Sequence, residues 1–397
     1  MTVTVVGVDI RDDRAVPPDL GEVALVVGAP ELVAGHAPAG ARTATGAIES
    51  TMDDIAAAVA AGEEVVVLVH GDPGHFGVLR ALRAKGLPVA VRPAVSDVQR
   101  MAAMLRRPWD DIAVVDARGR EFRHAVNVCR ARRAVAVLTA PGAGPAELAR
   151  ELSGWRRNLA VLEGLRTPDE RLSIVDVTEA ERRTWREPNL VMCLVSLDAA
   201  GTDHWLAGGP AAPPPDGWAL DESAFATRAG VGIAPEVRAL ALARLAPRAG
   251  TLLWDVCAGS GAIGIEAARL GAAVVAVERD SGLCVRIVAN AGAHGVDVRL
   301  VDGDPLTAIP VLPRPHAVFV GAAHPEVVRA CAGVGAERIV VLVPEADRLG
   351  RIRAALRDAG YAVDGCQLSA APLVDLPGEA TGVGPAGSTF LVWGARR

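Results

Sequence analysis

The residues best suited to chemistry sit where apolar runs end. In LLWDVCAGSGAIGIEAARL, an apolar stretch closes on Asp255, passes through Cys257, Ala258, Gly259, Ser260 and Gly261, and enters a helix-like segment with Ile263, Ile265 and Ala267. Glycines at a strand-to-helix turn let a ligand approach the backbone, and free N–H groups at the helix start favour a carboxylate or other polar ligand atoms. One strand later, AVVAVERD ends in Glu278, an acid placed to accept hydrogen bonds from ribose hydroxyls. The following run ends in Asp302, Gly303 and Asp304. In an open α/β sheet these strand ends converge on one crevice. A lone glycine turn with solvated acids would be an ordinary loop, but here four elements agree on a nucleoside ligand. The turn lacks GxGxxG spacing, so S-adenosyl-L-methionine is expected ahead of a dinucleotide.

A second glycine-bearing loop lies near the N-terminus. EEVVVLVHGDPGHFGVLRAL reads as a buried strand running into Gly71, Asp72, Pro73 and Gly77, with a helix starting immediately after. His70, His75 and His324 stand beside turns as candidate bases, against the plainer reading of structural or solvated histidines. Arg92, Arg118, Arg120 and Arg238 are candidates for pairing with substrate carboxylates.

The elements that must position these residues follow from periodicity. Short Val-rich runs alternate with Ala/Leu/Arg-rich helical stretches, the mark of α/β layers around mostly parallel sheets. In the first part, strands are expected at residues 2–8, 23–27, 64–69, 112–115, 134–138 and 189–197. The VAVRPAV run at 89–95, with its internal proline, reads as a weak joint between two lobes. The second part is cleaner and Rossmann-like: strand 252–256, helix from 261, strand 274–277, helix 281–293, strand 298–301 and strand 317–320. The rhythm breaks at 199–215, where glycines and the run Pro213, Pro214, Pro215 suit neither ladder nor helix. The expected domains are therefore 1–198 and 216–397, joined by a Gly/Pro-rich linker at 199–215.

Composition narrows the partners. Charged residues make up 22% of the 397, and 41 basic against 47 acidic side chains give a net charge of −6 without a dense basic block, so nucleic acid is a poor partner. The longest apolar runs, such as 340–344, are strand length rather than the ~20 residues of a membrane span. MTVTVVGVDI carries no export signal, which points to the cytoplasm. The cysteines at 129, 193, 257, 284, 331 and 366 form no CxxC pair, arguing against zinc and disulfides and for reduced, mostly buried thiols.

The GDPxxxG loop resembles the signature of tetrapyrrole methylases. The likeness continues through VRPAVSDVQRMAAMLRRPWDDIAVV, DARGREFRHAVNVCR, AVAVLTAPGAGPAELARELSGW and LAVLEGLRTPDERL. In the second part GWALDESAFATRAG, EVRALALARLAP, LLWDVCAGSG and EAARLGAAVVAVERD look like the fused precorrin-6Y C(5,15)-methyltransferase family of cobalamin biosynthesis. The resemblance implies a two-lobed tetrapyrrole-methylase domain followed by a Rossmann-like methyltransferase domain, each using S-adenosyl-L-methionine. It further implies methylation of two meso carbons of a precorrin, decarboxylation of an acetate side chain, and association into a homo-oligomer.

This chain departs from the family at several loops. Ile233 and Ala234 replace a Thr-Lys pair, Cys257 replaces the first turn glycine, and Gly321, Ala322, Ala323 and His324 replace a glycine run. His70 replaces a small polar residue, and Asp116 to Arg120 replace a Ser-x-His-Gly-Arg segment. A glycine at 257 is expected to open the turn at a cost of roughly 0.5–1 kcal/mol in stability. Because the departures gather at loops, two other readings stand beside the first: a relative that methylates a different acceptor, and a catalytically weakened paralogue that binds the cofactor.

Overall fold

The computed structural model describes residues 2–9, 20, 22–119, 121–196, 206–208, 214–227, 232–322, 324–371, 373–377, 380–384 and 387–396. Arg120, Ala323 and linker residues 199–205 and 209–213 lie outside the described residues. The chain divides into two compact units: residues 1–109, 161–173 and 186–190, and residues 110–160, 174–185 and 191–397.

The first sheet contains β1 (Val3–Val8), β2 (Leu25–Gly28), β3 (Arg42–Thr45), β4 (Val65–His70) and β5 (Val89–Arg92), in the order β3-β2-β4-β1-β5. Its pairings are parallel. Val3, Val5, Val26, Val65 and Val67 are almost wholly buried, as expected of strands covered on both faces. Within the run expected as a joint, Val89–Arg92 is an edge strand of this sheet, and the two units divide after residue 109 instead. Pro93 follows the last paired residue, Arg92, so no ladder hydrogen bond is lost.

A second five-stranded sheet contains β6 (Ala113–Asp116), β7 (Ala134–Leu138), β8 (Asn158–Glu163), β9 (Arg171–Asp176) and β10 (Asn189–Leu194), ordered β6-β7-β10-β8-β9.

The third sheet holds β11 (Leu252–Val256), β12 (Ala273–Glu278), β13 (Arg299–Asp302), β14 (Ala317–Val320), β15 (Arg338–Val343), β16 (Ala362–Ala370) and β19 (Gly387–Ala395); β17 (Leu373–Leu376) and β18 (Ala380–Val383) form a separate hairpin. The order is β13-β12-β11-β14-β15-β19-β16, parallel through β15 and antiparallel beyond. Strand order therefore reverses between β11 and β14, the switch point at which ligands of open α/β sheets bind.

Within the second unit, the core of this sheet extends beyond residues 216–397. The helix Phe122–Ala131 packs against β12, and Trp155 joins the cluster that contains Leu252, Trp254, Val275 and Val318. The guanidiniums of Arg130 and Arg299 lie 4.5 and 4.8 Å from the centroid of the Trp155 ring. Asn127 donates to the Gly250 carbonyl at 3.0 Å, and Arg157 pairs with Asp297.

Candidate functional site

The turn after β11 is built by two buried acids. Asp255 is completely buried, and its Oδ2 accepts the Gly264 N–H at 2.8 Å, tying the helix Ala262–Arg269 to the strand it follows. A Cβ on Gly264 would meet that oxygen at 2.9 Å, so only glycine lets helix and strand approach this closely. Burial pushes the Asp255 carboxyl up to about 7, aided by the nearby Glu278 charge and opposed by the Gly264 hydrogen bond. Its Oδ1 is buried without a hydrogen-bond partner among the described residues.

Glu278, at the tip of β12 and only 6% exposed, organises the neighbouring loops. Its Oε2 accepts the Gly259 N–H at 2.9 Å, while Oε1 accepts those of Arg279 and Asp280 at 2.9 and 3.0 Å. An ionised carboxylate offers about four acceptor positions, so one is left for a hydroxyl donor. Its backbone carbonyl takes the Gly303 N–H, and Asp304 caps the following short helix by accepting from Leu306 N at 2.8 Å.

Cys257, Gly259, Glu278 and Asp304 line one cavity of about 630 Å³, within the range usual for small-molecule sites. Ala258, Ser260 and Gly261 are buried, and Gly261 takes φ +78° at the start of the helix. Cys257 sits at φ +57°, a left-handed conformation that side chains disfavour. Its thiol is pushed up to about 11, first by burial and then by the charges of Glu278 and Asp255, and so is no nucleophile near neutral pH. Gly321 is just as constrained, since a Cβ there would lie 2.4 Å from the Cys257 carbonyl oxygen.

The expectation that Arg238 meets a substrate carboxylate is corrected by its surroundings. Its side chain is 1% exposed; Nε donates to Glu266 at 2.8 Å, and the terminal nitrogens reach the Ile233 and Leu220 carbonyls. Arg118 donates from Nε to Asp116 at 2.9 Å on a side chain 47% exposed. Arg279, His324, Arg329 and Arg351 line the cavity, and of these only His324 had been singled out from the sequence. Arg279 follows the strand-end acid directly and was within reach of the strand-tip rule; Arg329 and Arg351 carry no local signal.

In the first unit, Gly71 takes φ +67° and donates its N–H to Val8 at the end of β1, while Asp72 Oδ1 accepts the Gly74 N–H at 2.7 Å. Pro73 is buried and Gly77 caps the helix Val78–Ala84. His70 Nε2 lies 2.9 Å from Glu31 Oε1, with burial and then Arg166 holding its pKa down. His75 makes an edge contact with Phe76 at 5.0 Å.

Comparison with known proteins defines the class first. Residues 4–181 match the tetrapyrrole (corrin/porphyrin) methylases, and residues 229–348 match the precorrin methyltransferase domain. A Mycobacterium tuberculosis precorrin-6Y C(5,15)-methyltransferase [decarboxylating] is 35% identical over 285 residues, covering 68% of this chain and 67% of that protein. A Sinorhizobium protein of the same name is 33% identical over 273 residues, 67% of this chain; the chain spans only 63% of that relative's length. A crystal structure of precorrin-6Y C5,15-methyltransferase from Geobacter metallireducens aligns with 24% identity and a TM-score of 0.42, covering 45% of this chain and 97% of that one. The chain belongs to the family of precorrin-6Y C(5,15)-methyltransferases [decarboxylating]. Members of this family use S-adenosyl-L-methionine as methyl donor.

Proposed function

We propose that this chain is a bifunctional C-methyltransferase of corrin biosynthesis that methylates two meso carbons of a precorrin and decarboxylates one acetate side chain. The observation that carries this reading is the union, in one chain, of a tetrapyrrole-methylase match with a methyltransferase domain whose strand-end residues Cys257, Gly259, Glu278 and Asp304 share one cavity. The reading assigns the first reaction to residues 1–198, the second to residues 216–397, and the joint to residues 199–215.

Bound at the β11 turn, S-adenosyl-L-methionine supplies an electrophilic methyl group. Around it, the chain's own residues do the positioning. Glu278 offers its remaining acceptor position to a ribose hydroxyl; Gly259, Gly261 and Gly303 keep the backbone bare; and Asp255 fixes the turn from beneath. The loop of Gly71, Asp72, Pro73 and Gly77 plays the same part in the first domain. An enamine-like meso carbon is already a nucleophile, so alignment within the cavity supplies most of the catalysis. All six cysteines are free thiols, which supports a reducing cytoplasm, and the hairpin β17–β18, with Leu373 and Val383 at least 70% exposed, supports burial against a second copy of the chain. No helix among the described residues is long and apolar enough to cross a membrane.

The test is to incubate the full chain with S-adenosyl-L-methionine and precorrin-6Y and to weigh the product. The expected product has gained two methyl groups and lost one carbon dioxide. Absence of cofactor binding would sink the reading. Binding of S-adenosyl-L-homocysteine without turnover of precorrin-6Y would favour a different acceptor, the reading that Cys257 at the cofactor turn supports.

A further inference from the structure

We infer that Arg329 and Arg351 anchor carboxylates of the acceptor at the second site. The inference rests on the proposed reading, that the acceptor is a tetrapyrrole polycarboxylate, and adds the residues that hold it.

The switch point divides the cavity into two sides. Glu278 and Asp304 stand at or just beyond the ends of β12 and β13 and belong to the nucleoside side of the proposed reading, which leaves the side over β14 and β15 for the acceptor. There the lining comes from the loop Gly321, Ala322 and His324 and from two helices that pack against each other, Pro325–Gly333 and Leu349–Asp358. Each buries an apolar face, with Val328 and Cys331 on one and Ile352 and Leu356 on the other, and each presents one arginine to the cavity.

The side chains of Arg329 and Arg351 are exposed and make no hydrogen bond or ion pair among the described residues. What sets them apart from the equally unpaired Arg353 and Arg357 is their place in the cavity lining, and from Arg279, which also lines it, their place on the helices that follow β14 and β15. The chain carries six more acidic than basic side chains, and Glu326 lines the same cavity, so an anionic acceptor needs cations reserved for it. Guanidiniums suit that role because their planar fork donates two parallel hydrogen bonds to a carboxylate. Two of them on separate helices fix the orientation of a macrocycle as well as its presence.

Calorimetry with dicyanocobyrinic acid, a corrin heptacarboxylate, and with its heptamethyl ester tests this in the full-length protein holding S-adenosyl-L-homocysteine. The wild type is expected to bind the acid and not the ester, with affinity falling as salt rises. Arg329→Gln and Arg351→Gln should each weaken binding of the acid by about ten- to hundredfold. Each should leave S-adenosyl-L-homocysteine affinity unchanged, which also reports that the variant is folded. Arg353→Gln, exposed on the same helix as Arg351 but outside the lining, should bind the acid like the wild type. Undiminished binding of the acid by both lining variants would overturn the anchoring role and leave the proposed function standing. Failure of the wild type to bind the acid while it binds S-adenosyl-L-homocysteine would overturn the tetrapyrrole reading and the anchors with it.

Discussion

Cys257 and Asp255 each carry a cost that a substitution can reveal. A side chain at φ +57° is strained by roughly 1–2 kcal/mol, so glycine at 257 relieves more than it loses in chain entropy. The sequence alone carries the opposite expectation, because the entropy of glycine is visible there and the dihedral angle that decides the sign is not. Cys257→Gly should raise unfolding stability by about 0.5–1 kcal/mol in urea titration, and a less stable variant would refute the strain. Asp255 titrates at about 7 in the folded protein and near 3.8 when exposed. Between those values the folded state holds more protons than the unfolded one, so this group lowers stability progressively as pH rises from about 4 to 7. Asp255→Asn keeps an oxygen for the Gly264 N–H and abolishes the titration. The stability of the variant minus that of the wild type should grow across this window by at most about 1.4 kcal/mol per pH unit. A difference that stays flat would mean that Asp255 is ionised throughout.

At the scale of elements, legibility followed locality. The helix Ser281–Ala293 and the strand Ala317–Val320 were read to the residue, because Asp280 caps the first through the Leu283 N–H and a short run of buried apolar side chains defines the second. The antiparallel strands β16 and β19 were missed. β16 mixes Asp364, Gly365 and Gln367 into an exposed edge, and only its pairing with a distant strand makes it a strand at all. The strand-end residues around the cavity were legible for the same local reason, whereas Arg238 was misread because its partner Glu266 lies on another helix, 28 residues on. That pair gives a direct measure. Arg238→Ala leaves Glu266 buried and uncompensated, and should cost about 3–5 kcal/mol of stability. A soluble variant with unaltered unfolding and a raised KM for the acceptor would return Arg238 to the substrate site.

At the scale of the molecule, the second unit does not end where the Rossmann-like segment begins. The cluster beneath β11, β12 and β14 includes Trp155, and the Gly250 carbonyl receives hydrogen bonds from Asn127 and His124. A fragment of residues 216–397 exposes that surface. It should melt at lower temperature than the same sheet in the full chain and bind the dye ANS, as followed by calorimetry and fluorescence. A fragment extended to begin at residue 110 should recover much of the difference. Equal melting of the short fragment and the full chain would show the cover to be dispensable.

The contacts of Arg130 and Arg299 with the Trp155 ring also limit how such chains exchange parts. Two of these three side chains come from the tetrapyrrole-methylase match and the third from the precorrin-methyltransferase match. A recombinant joining this N-terminal half to a relative's C-terminal half inherits only part of this cluster. The halves are thus co-adapted at a seam within the second unit, and viable hybrids will be those whose incoming sheet carries a cation at position 299 and an acid at position 297 for Arg157.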